Sequence, residues 1–551
     1  MHVDLREIPQ DAVIEADLCI IGAGIAGIAI ARRFLASDKT VVLLESGGID
    51  HEPGPQSLAE GDSIGFDYYP LGDSRLRMFG GTTAIWGGRV ALLDEIDFQR
   101  RDWVPHSGWP ISREQLDLWY DQARAQLDLA KLSLDERLYR EIDPNAPNFD
   151  PGQIRVAYWQ FDRLIGRTGV GQCQDLWQSE NVRVLTHATA TRIQAELNGR
   201  AIASVRIAES GGRRATVKAR HYVLAAGGID NARILLASDD VQPHGLGNAH
   251  DLVGRYFMEH PHARGGRVRL KRPWQHLKQL MLKQGFAGNP VAPCFRPGEQ
   301  LQMRRRILNT SFALGCRQHP TQRMNLPTRF YQAAKHRMAP TKRNRMLWQG
   351  LKRSAQWLQR HSDPLRPWLL DRLDRRGIYA VVRAEQAPNP DSRVLLSADR
   401  DALGVPKACL DWQLCDLDKR SVRVMMEAFD SELRRLDIGH VELPGWLRDE
   451  GRPWQIDSLV SGHPIGGYHH MGTTRMANDA SEGVVDPNGR VFGLANLHVA
   501  GSSVFPTSGW ANPTLTLLAL SLRLGERLAE LLAADAKPAN VSVGQEGQRV
   551  A

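Results

Sequence analysis

Cysteine is scarce in this chain of 551 residues: there are six, Cys19, Cys173, Cys294, Cys316, Cys409 and Cys415. None forms a CxxC pair or a CxxCH haem attachment site, and no metal site is expected. Scattered thiols of this kind read as reduced, as in a cytoplasmic protein. No run of eighteen or more apolar residues occurs, so no membrane-spanning helix is expected. The first residues, Met1-His2-Val3-Asp4-Leu5-Arg6-Glu7, lack a basic stretch followed by an apolar one, and no secretory signal is expected. Internal repeats and flexible linkers are also missing. What is present is ordinary for a soluble protein: 42% hydrophobic and 24% charged residues. The length exceeds what one core supports, which predicts two or more domains.

The net charge of +8 hides an asymmetry. Residues 261–380 carry 26 Lys and Arg against 4 Asp and Glu, a net +22, which leaves −14 for the remainder. A basic segment set in an acidic body points to an anionic neighbour.

Near the N-terminus, Asp17-Leu18-Cys19-Ile20-Ile21 reads as a buried strand and runs straight into Gly22-Ala23-Gly24-Ile25-Ala26-Gly27. The segment from Ile28 to Leu35 reads as a helix. Thr40 to Leu44 reads as a second strand, with Glu45 at its end. This is the dinucleotide fingerprint in its required context. Gly22 makes the tight turn, Gly24 admits pyrophosphate to the backbone, and Gly27 lets helix and strand pack closely. The helix N-terminus would face the phosphates, and Glu45 the ribose hydroxyls. The fingerprint alone does not separate FAD from NAD.

Two further segments offer backbone to a cofactor. Gly80-Gly81-Thr82-Thr83-Ala84-Ile85-Trp86-Gly87-Gly88 is a second glycine-rich loop, suited to pass close to a flat ring. Tyr222 to Leu236 reads as strand, glycine turn at Ala226-Gly227, and helix. Leu252 to Arg255 and Glu259-His260-Pro261 close this part.

The C-terminal part carries the chemistry. Tyr468-His469-His470-Met471-Gly472 is followed by Ala500-Gly501-Ser502-Ser503 and by Ala511-Asn512-Pro513-Thr514. A histidine on one loop and an asparagine on another, framed by Gly and Pro, suit a site that handles an alcohol and its proton. Neutral histidine is a fitting base, because its unperturbed pKa is about 6.5. An apolar helical pattern resumes from Thr514 to Leu524, with its N-terminus beside Asn512.

Taken together, these motifs resemble the glucose-methanol-choline (GMC) flavin oxidoreductases, from Asp17 to about Leu531. The Gly501-Ser502-Ser503 form resembles the branch of bacterial sugar and sugar-acid dehydrogenases. The resemblance implies an α/β protein with a Rossmann-like FAD domain and a substrate domain built on an antiparallel sheet. It implies FAD as cofactor, held by Gly22, Gly24, Gly27, Glu45, Gly80, Gly81, Thr82, Trp86, Ala226, Gly227, Gly501, Ser502, Pro513 and Thr514. Sugar-oxidising relatives with covalent flavin carry a histidine directly before the tryptophan. Here that position is Ile85, which implies noncovalent FAD. His469 falls on the family's His-x-x-Gly position as general base, and Asn512 on the position that holds the alcohol. His470 is read as pointing elsewhere. The expected domains are 1–260 and 462–533 for FAD and catalysis and 261–461 for substrate, with 534–551 a disordered tail.

The expected reaction is oxidation of a CH–OH group of a sugar, polyol or glycoside, with quinone or oxygen as acceptor. An oxygen-using oxidase, a non-redox FAD-containing lyase, and a membrane- or polyanion-binding protein with a vestigial flavin site stand as alternatives. No nucleic-acid partner is expected. Arg393 to Leu396 and Ala408 to Trp412 read as strands resembling the sheet that backs the family's substrate pocket.

The basic segment itself is ambiguous. Leu347, Leu351, Ala355 and Leu358 recur at helical spacing, with Trp348 beside them and Lys352, Arg353 and Arg360 opposite. Lys271 to Leu282 mixes Lys271, Arg272 and Lys278 with Trp274, Leu277, Leu280 and Met281. Three readings stay open: a helix lying on an anionic membrane, a helix packed on its own domain with a solvated basic face, or attraction of an acidic substrate. The expected location is cytoplasmic, with a peripheral place on the inner membrane face under the first reading.

Overall fold

The computed structural model describes residues 1–164, 166–319, 339–456 and 468–535. Residues 457–467 before the Tyr468 motif, residues 320–338 of the basic segment and the tail beyond Asp535 lie outside the described residues. So do the side chains of Lys352, Ala355 and Arg360. Among the described residues no helix is long and apolar enough to cross a membrane.

Two large sheets organise the chain. The first has a parallel centre in which Val182–Thr186, Val41–Leu44, Ala12–Ile21 and Arg214–Leu224 lie side by side, and Leu497–Val499 pairs with the end of Arg214–Leu224. The register pairs Ile21 with Leu44 and with Leu224, so these strands end at one edge. Val, Ile and Leu fill both faces of these strands because helices Ile25–Arg32 and Thr514–Ala534 cover one of them, which a parallel sheet requires. Each of these three strands runs at its end into a glycine turn or the acid Glu45. Outside the carboxyl ends of parallel strands is where an α/β sheet binds its ligand.

The second sheet is antiparallel, in the order Gly439–Glu442, His262–Leu270, Gly377–Arg383, Ser311–Arg317, Asn289–Pro297, Ile154–Phe161 and Arg89–Val90. One face packs on the helix Asp416–Arg435 through Phe295, Phe312 and Phe429, with ring centroids 4.8–5.1 Å apart. Its last two strands come from the first 260 residues, so this sheet is not confined to 261–461. The strands Arg393–Arg400 and Pro406–Trp412 do form, but in a separate three-stranded sheet with Gly61–Gly65. That parallel pairing with Gly61–Gly65 draws them away from the larger sheet.

The helix expected from Ile28 instead spans Ile25–Arg32. Gly24 caps it, and Ile28 N–H already donates to Gly24 O at 2.9 Å. The helix therefore starts inside the glycine motif, which brings its free amides to the sheet edge. The helix Pro273–Leu280 has its proline at the first turn and buries Leu277 and Leu280 against its own domain.

Candidate active site

A cavity of about 760 Å³ runs along the carboxyl edge of the first sheet to the second sheet. That is within the range of ligand and cofactor sites, about 300–1,000 Å³. Gly22, Gly24, Glu45, Gly81, Thr82, Trp86, Ala226, Gly227, Gly501, Ser502, Pro513 and Thr514 all line it, and so do His469 and Asn512. Gly27 and Gly80 do not. A Cβ on Gly27 would lie 2.0 Å from Gly22 O, and one on Gly80 2.5 Å from Thr168 O. These two glycines serve close packing behind the cavity wall rather than contact with a ligand.

Several observations fit a dinucleotide in this cavity. A Cβ on Gly24, Gly227 or Gly501 would meet nothing within 4 Å, so backbone is bare toward open space. Trp86 Nε1 and Arg75 Nη2 are buried on the wall with no hydrogen-bond partner among the described residues. Glu45 is buried and accepts from Ala23 N–H at 3.2 Å and Gly47 N–H at 2.9 Å, and burial pushes its carboxyl up. These bonds leave acceptor capacity on a carboxylate with about four lone-pair sites, available to ribose hydroxyls. Among the described residues no cluster of potential metal ligands occurs.

At the other end of the cavity, two loops are brought together by backbone pairing. Met258 and Met471 exchange hydrogen bonds at 3.0 Å in each direction. Gly472 allows this approach: it has φ +87°, and a Cβ there would lie 2.1 Å from Tyr256 O. The glycine of the His-x-x-Gly pattern thus has a steric reason.

The bridge sets Glu259 and His260 against His469. Glu259, buried, accepts from the backbone N–H of His469 at 2.7 and 2.9 Å, from His260 N–H at 2.9 Å and from Tyr68 O–H at 2.8 Å. Burial pushes its carboxyl up to about 7. His470 Nε2 lies 2.9 Å from Tyr68 Oη, whose proton is given to Glu259, so His470 is the donor.

The tautomers follow from the same logic. His260 Nε2 is 2.8 Å from Gly509 O, which only accepts, so Nε2 carries the hydrogen. Burial holds His260 down to about 4, so it is neutral and has a lone pair at Nδ1. His260 Nδ1 lies 2.8 Å from His469 Nδ1, so His469 donates there. The lone pair of His469 is therefore on Nε2, where Asn512 Nδ2 donates at 3.2 Å. Burial, with His260, His262 and Arg383 nearby, holds the His469 imidazole well below its usual range. The chain thus presents an unprotonated imidazole nitrogen and an amide side by side on the cavity wall.

Tyr68, Glu259 and His260 do not stand out in the sequence as site residues. Glu259-His260-Pro261 is visible there only as a motif closing the first part. Arg89, His262 and Arg383 carry no mark either, yet they line the same cavity. Their isolated positions on separate strands carry no local signal.

Comparison with known proteins agrees with this geometry. The family profile described as GMC oxidoreductase matches residues 388–521, and that described as FAD dependent oxidoreductase matches 17–245. A 2-methyl-1,2-propanediol dehydrogenase of Mycolicibacterium austroafricanum is 22% identical over 94% of this chain and 95% of its own. The fructose dehydrogenase large subunit of Gluconobacter japonicus is 24% identical over 94% and 98%. A 6'''-hydroxyparomomycin C oxidase of Streptomyces lividus is 24% identical over 94% and 92%. Among solved structures, a fungal aryl-alcohol oxidase is similar with TM-score 0.54 at 14% identity, over 96% of this chain and 100% of that one. The pyridoxine 4-oxidase of Mesorbium loti has TM-score 0.52 at 16% identity, over 94% and 99%; both likenesses concern the fold. The chain thus carries an FAD dependent oxidoreductase domain and a GMC oxidoreductase domain, and it is an FAD-dependent enzyme that oxidises CH–OH groups.

Proposed function

We propose that the substrate is a sugar, polyol or glycoside and that His469 removes its hydroxyl proton while Asn512 holds the oxygen. The observation that carries this reading is the lone pair on His469 Nε2, next to Asn512 Nδ2 and facing the cavity that the glycine loops share. A hydroxyl placed between these two groups gives its proton to Nε2 and accepts from the amide, which fixes the carbinol C–H in one direction. When bound, FAD supplies the hydride-accepting ring. Its seat is noncovalent, because Ile85 stands where covalent relatives have histidine. Gly22, Gly24 and the start of the helix Ile25–Arg32 meet the phosphates. Residues 1–260 and 462–533 then serve cofactor and catalysis, and 261–461 serve substrate, with Arg89–Val90 and Ile154–Phe161 lent to the substrate side. The sugar class is supported by the relatives at 22–24% identity over almost the whole chain, which are named for a diol, a sugar and an aminoglycoside.

The deciding experiment is anaerobic bleaching of the flavin by a panel of sugars, polyols, glycosides and simple alcohols. Bleaching by carbohydrates ahead of simple alcohols is the expected result. Readmitted air then separates an oxidase from a dehydrogenase that passes electrons to quinone. No bleaching by any of them overturns the reading and favours a non-redox role.

One observation favours a membrane surface as a second partner. The helix Lys342–Ser362 turns its apolar side outward: Leu347, Leu351 and Leu358 are 55–64% exposed. On its inner side Arg345 bonds Asp50 at 2.9 Å, and Trp348 lines the cavity. Arg343 and Arg353 lie on the same helix, a combination that suits an anionic bilayer. The location is then the cytoplasmic face of the membrane, where quinone is at hand. Leu351→Glu with Leu358→Glu should abolish binding to vesicles containing phosphatidylglycerol. Undiminished binding by that double variant refutes the surface.

A further inference from the structure

The wall of the cavity formed by the second sheet is cationic. Arg89, at the start of Arg89–Val90, and Arg383, at the end of Gly377–Arg383, both line it together with His469 and Asn512. Their strands do not pair with each other: Arg89 sits opposite Phe161, Arg383 opposite His262, and three other strands lie between them. Both guanidinium groups gather on one aromatic ring. The Cζ atoms of Arg89 and Arg383 lie 4.4 and 5.5 Å from the centre of Trp159, and Arg89 is also 5.5 Å from Phe161.

A buried arginine is normally paired. Three buried arginines of this protein obey the rule: Arg101 pairs with Glu385 at 2.5 Å, Arg233 with Asp401 at 2.6 Å, and Arg75 with Asp230 at 2.7 Å; Arg89 and Arg383 are partly buried on the cavity wall. Arg89 and Arg383 make no ion pair among the described residues. Burial lowers both guanidinium groups from their usual range, with Arg317 adding to it for both and Arg89 for Arg383. On the same wall, His262 Nε2 is buried without a partner among the described residues. Contact with the Trp159 ring holds the two groups in place without using their N–H donors in an ion pair. Such a pair of like charges is costly by itself, and an anion would offset that cost. The glycine loops that suit pyrophosphate sit on the other sheet, so the anion that answers these arginines comes with the substrate.

We infer that Arg89 and Arg383 form an oxyanion site for the substrate. The alcohol oxidised at His469 and Asn512 then belongs to a molecule that also bears a carboxylate or a phosphate. This rests on the reading that the chain oxidises an alcohol in this cavity. Two arginine forks match the two or three oxygens of either group.

The test uses the flavin-loaded His469→Ala variant under nitrogen, in which flavin reduction is slowed enough for binding to be read first. Calorimetry compares D-glucose with D-glucuronate and with glucose 6-phosphate, and glycerol with glycerate. At least one anionic member should bind tenfold or more tightly than its neutral partner, and which one does so separates carboxylate from phosphate. Adding Arg89→Gln or Arg383→Gln should weaken that anion by roughly ten- to a hundredfold while leaving the neutral sugar unchanged. The melting temperature of either arginine variant should stay level or rise, since an unpaired charge is removed. An arginine with a merely structural role would lower it. Equal binding of every neutral and anionic pair, or equal loss for both members in the arginine variants, overturns the site. Flavin bleaching of the wild-type protein with the same panel is the control. Anion preference without bleaching defeats the alcohol-oxidation reading and leaves the oxyanion site standing, whereas bleaching by neutral sugars without anion preference does the reverse.

Discussion

Replacing His469 by alanine should leave FAD bound and slow flavin reduction by substrate by about 10²–10⁴-fold, the usual contribution of a positioned base. FAD is kept because the seat proposed for it lies elsewhere on the cavity wall, at Gly22, Gly24, Glu45, Gly227 and Gly501. Rate is lost because the base lone pair is fixed on one atom. His260 Nε2 is committed to Gly509 O, which leaves His469 Nδ1 to donate and Nε2 to accept. A stopped-flow measurement under nitrogen gives the rate, and the 450 nm absorbance (the usual flavin region, about 450 nm) gives the occupancy. A fully active alanine variant sinks the assignment. His470→Ala is the contrasting case: its ring is tied to Tyr68, so it should disturb the loop rather than remove the base.

The pH dependence separates His469 from its support. The His469 imidazole is held well below its usual range, so its basic form persists through neutrality and activity falls only as pH drops through that low value. Glu259, by contrast, is pushed up to about 7. Its carboxylate collects the backbone N–H groups of His469 and His260, and protonation below pH 7 weakens that grip. An inflection near pH 7 in the reduction rate is therefore expected in the wild-type protein. Glu259→Gln should abolish this inflection and keep the lower acid limb; persistence of the inflection assigns it to another group.

The parts of this molecule that local sequence makes visible are those built from contiguous residues. Leu18 to Ile21, Val41 to Leu44 and Tyr222 to Leu224 are legible as strands because short apolar runs end in glycine or in Glu45. The proposed catalytic pair stands out through the Gly472 and Pro513 frames. The helix begins three residues earlier than its pattern suggests, because Ala26 and Gly27 look like loop while Gly24 acts as cap. The arginine pair is invisible: Arg89 and Arg383 are almost three hundred positions apart, on strands that do not pair, and meet only where both side chains reach Trp159. His260 escapes notice for a similar reason, since its meaning depends on the Met258–Met471 bridge. The exposed leucines of the helix Lys342–Ser362 show the limit of periodicity, which gives an apolar face but not what lies against it.

Two glycines of one motif should fail in different ways. In Gly27→Ala the new Cβ would lie 2.0 Å from Gly22 O, a backbone atom that cannot step aside. Helix and strand must separate, at a cost of about 3 kcal/mol or more, the upper end of ordinary overpacking. The apoprotein should lose thermal stability, and FAD should be lost with it. Gly24 has ordinary extended geometry, φ −79° and ψ −177°, and a Cβ there would meet nothing within 4 Å. Gly24→Val should therefore leave the melting temperature of the apoprotein unchanged. Its side chain would instead fill the space that pyrophosphate needs, and FAD should bind about five- to a hundredfold more weakly, the equivalent of a 1–3 kcal/mol clash. Fluorescence titration of apoprotein with FAD reads the second effect and calorimetric melting the first. If Gly24→Val binds FAD normally, the phosphates do not pass over this residue. If it melts early, the space beside Gly24 serves the protein's own packing rather than a ligand. The contrast works because one glycine faces protein and the other faces the cavity, a division of labour that three identical letters in the sequence do not disclose.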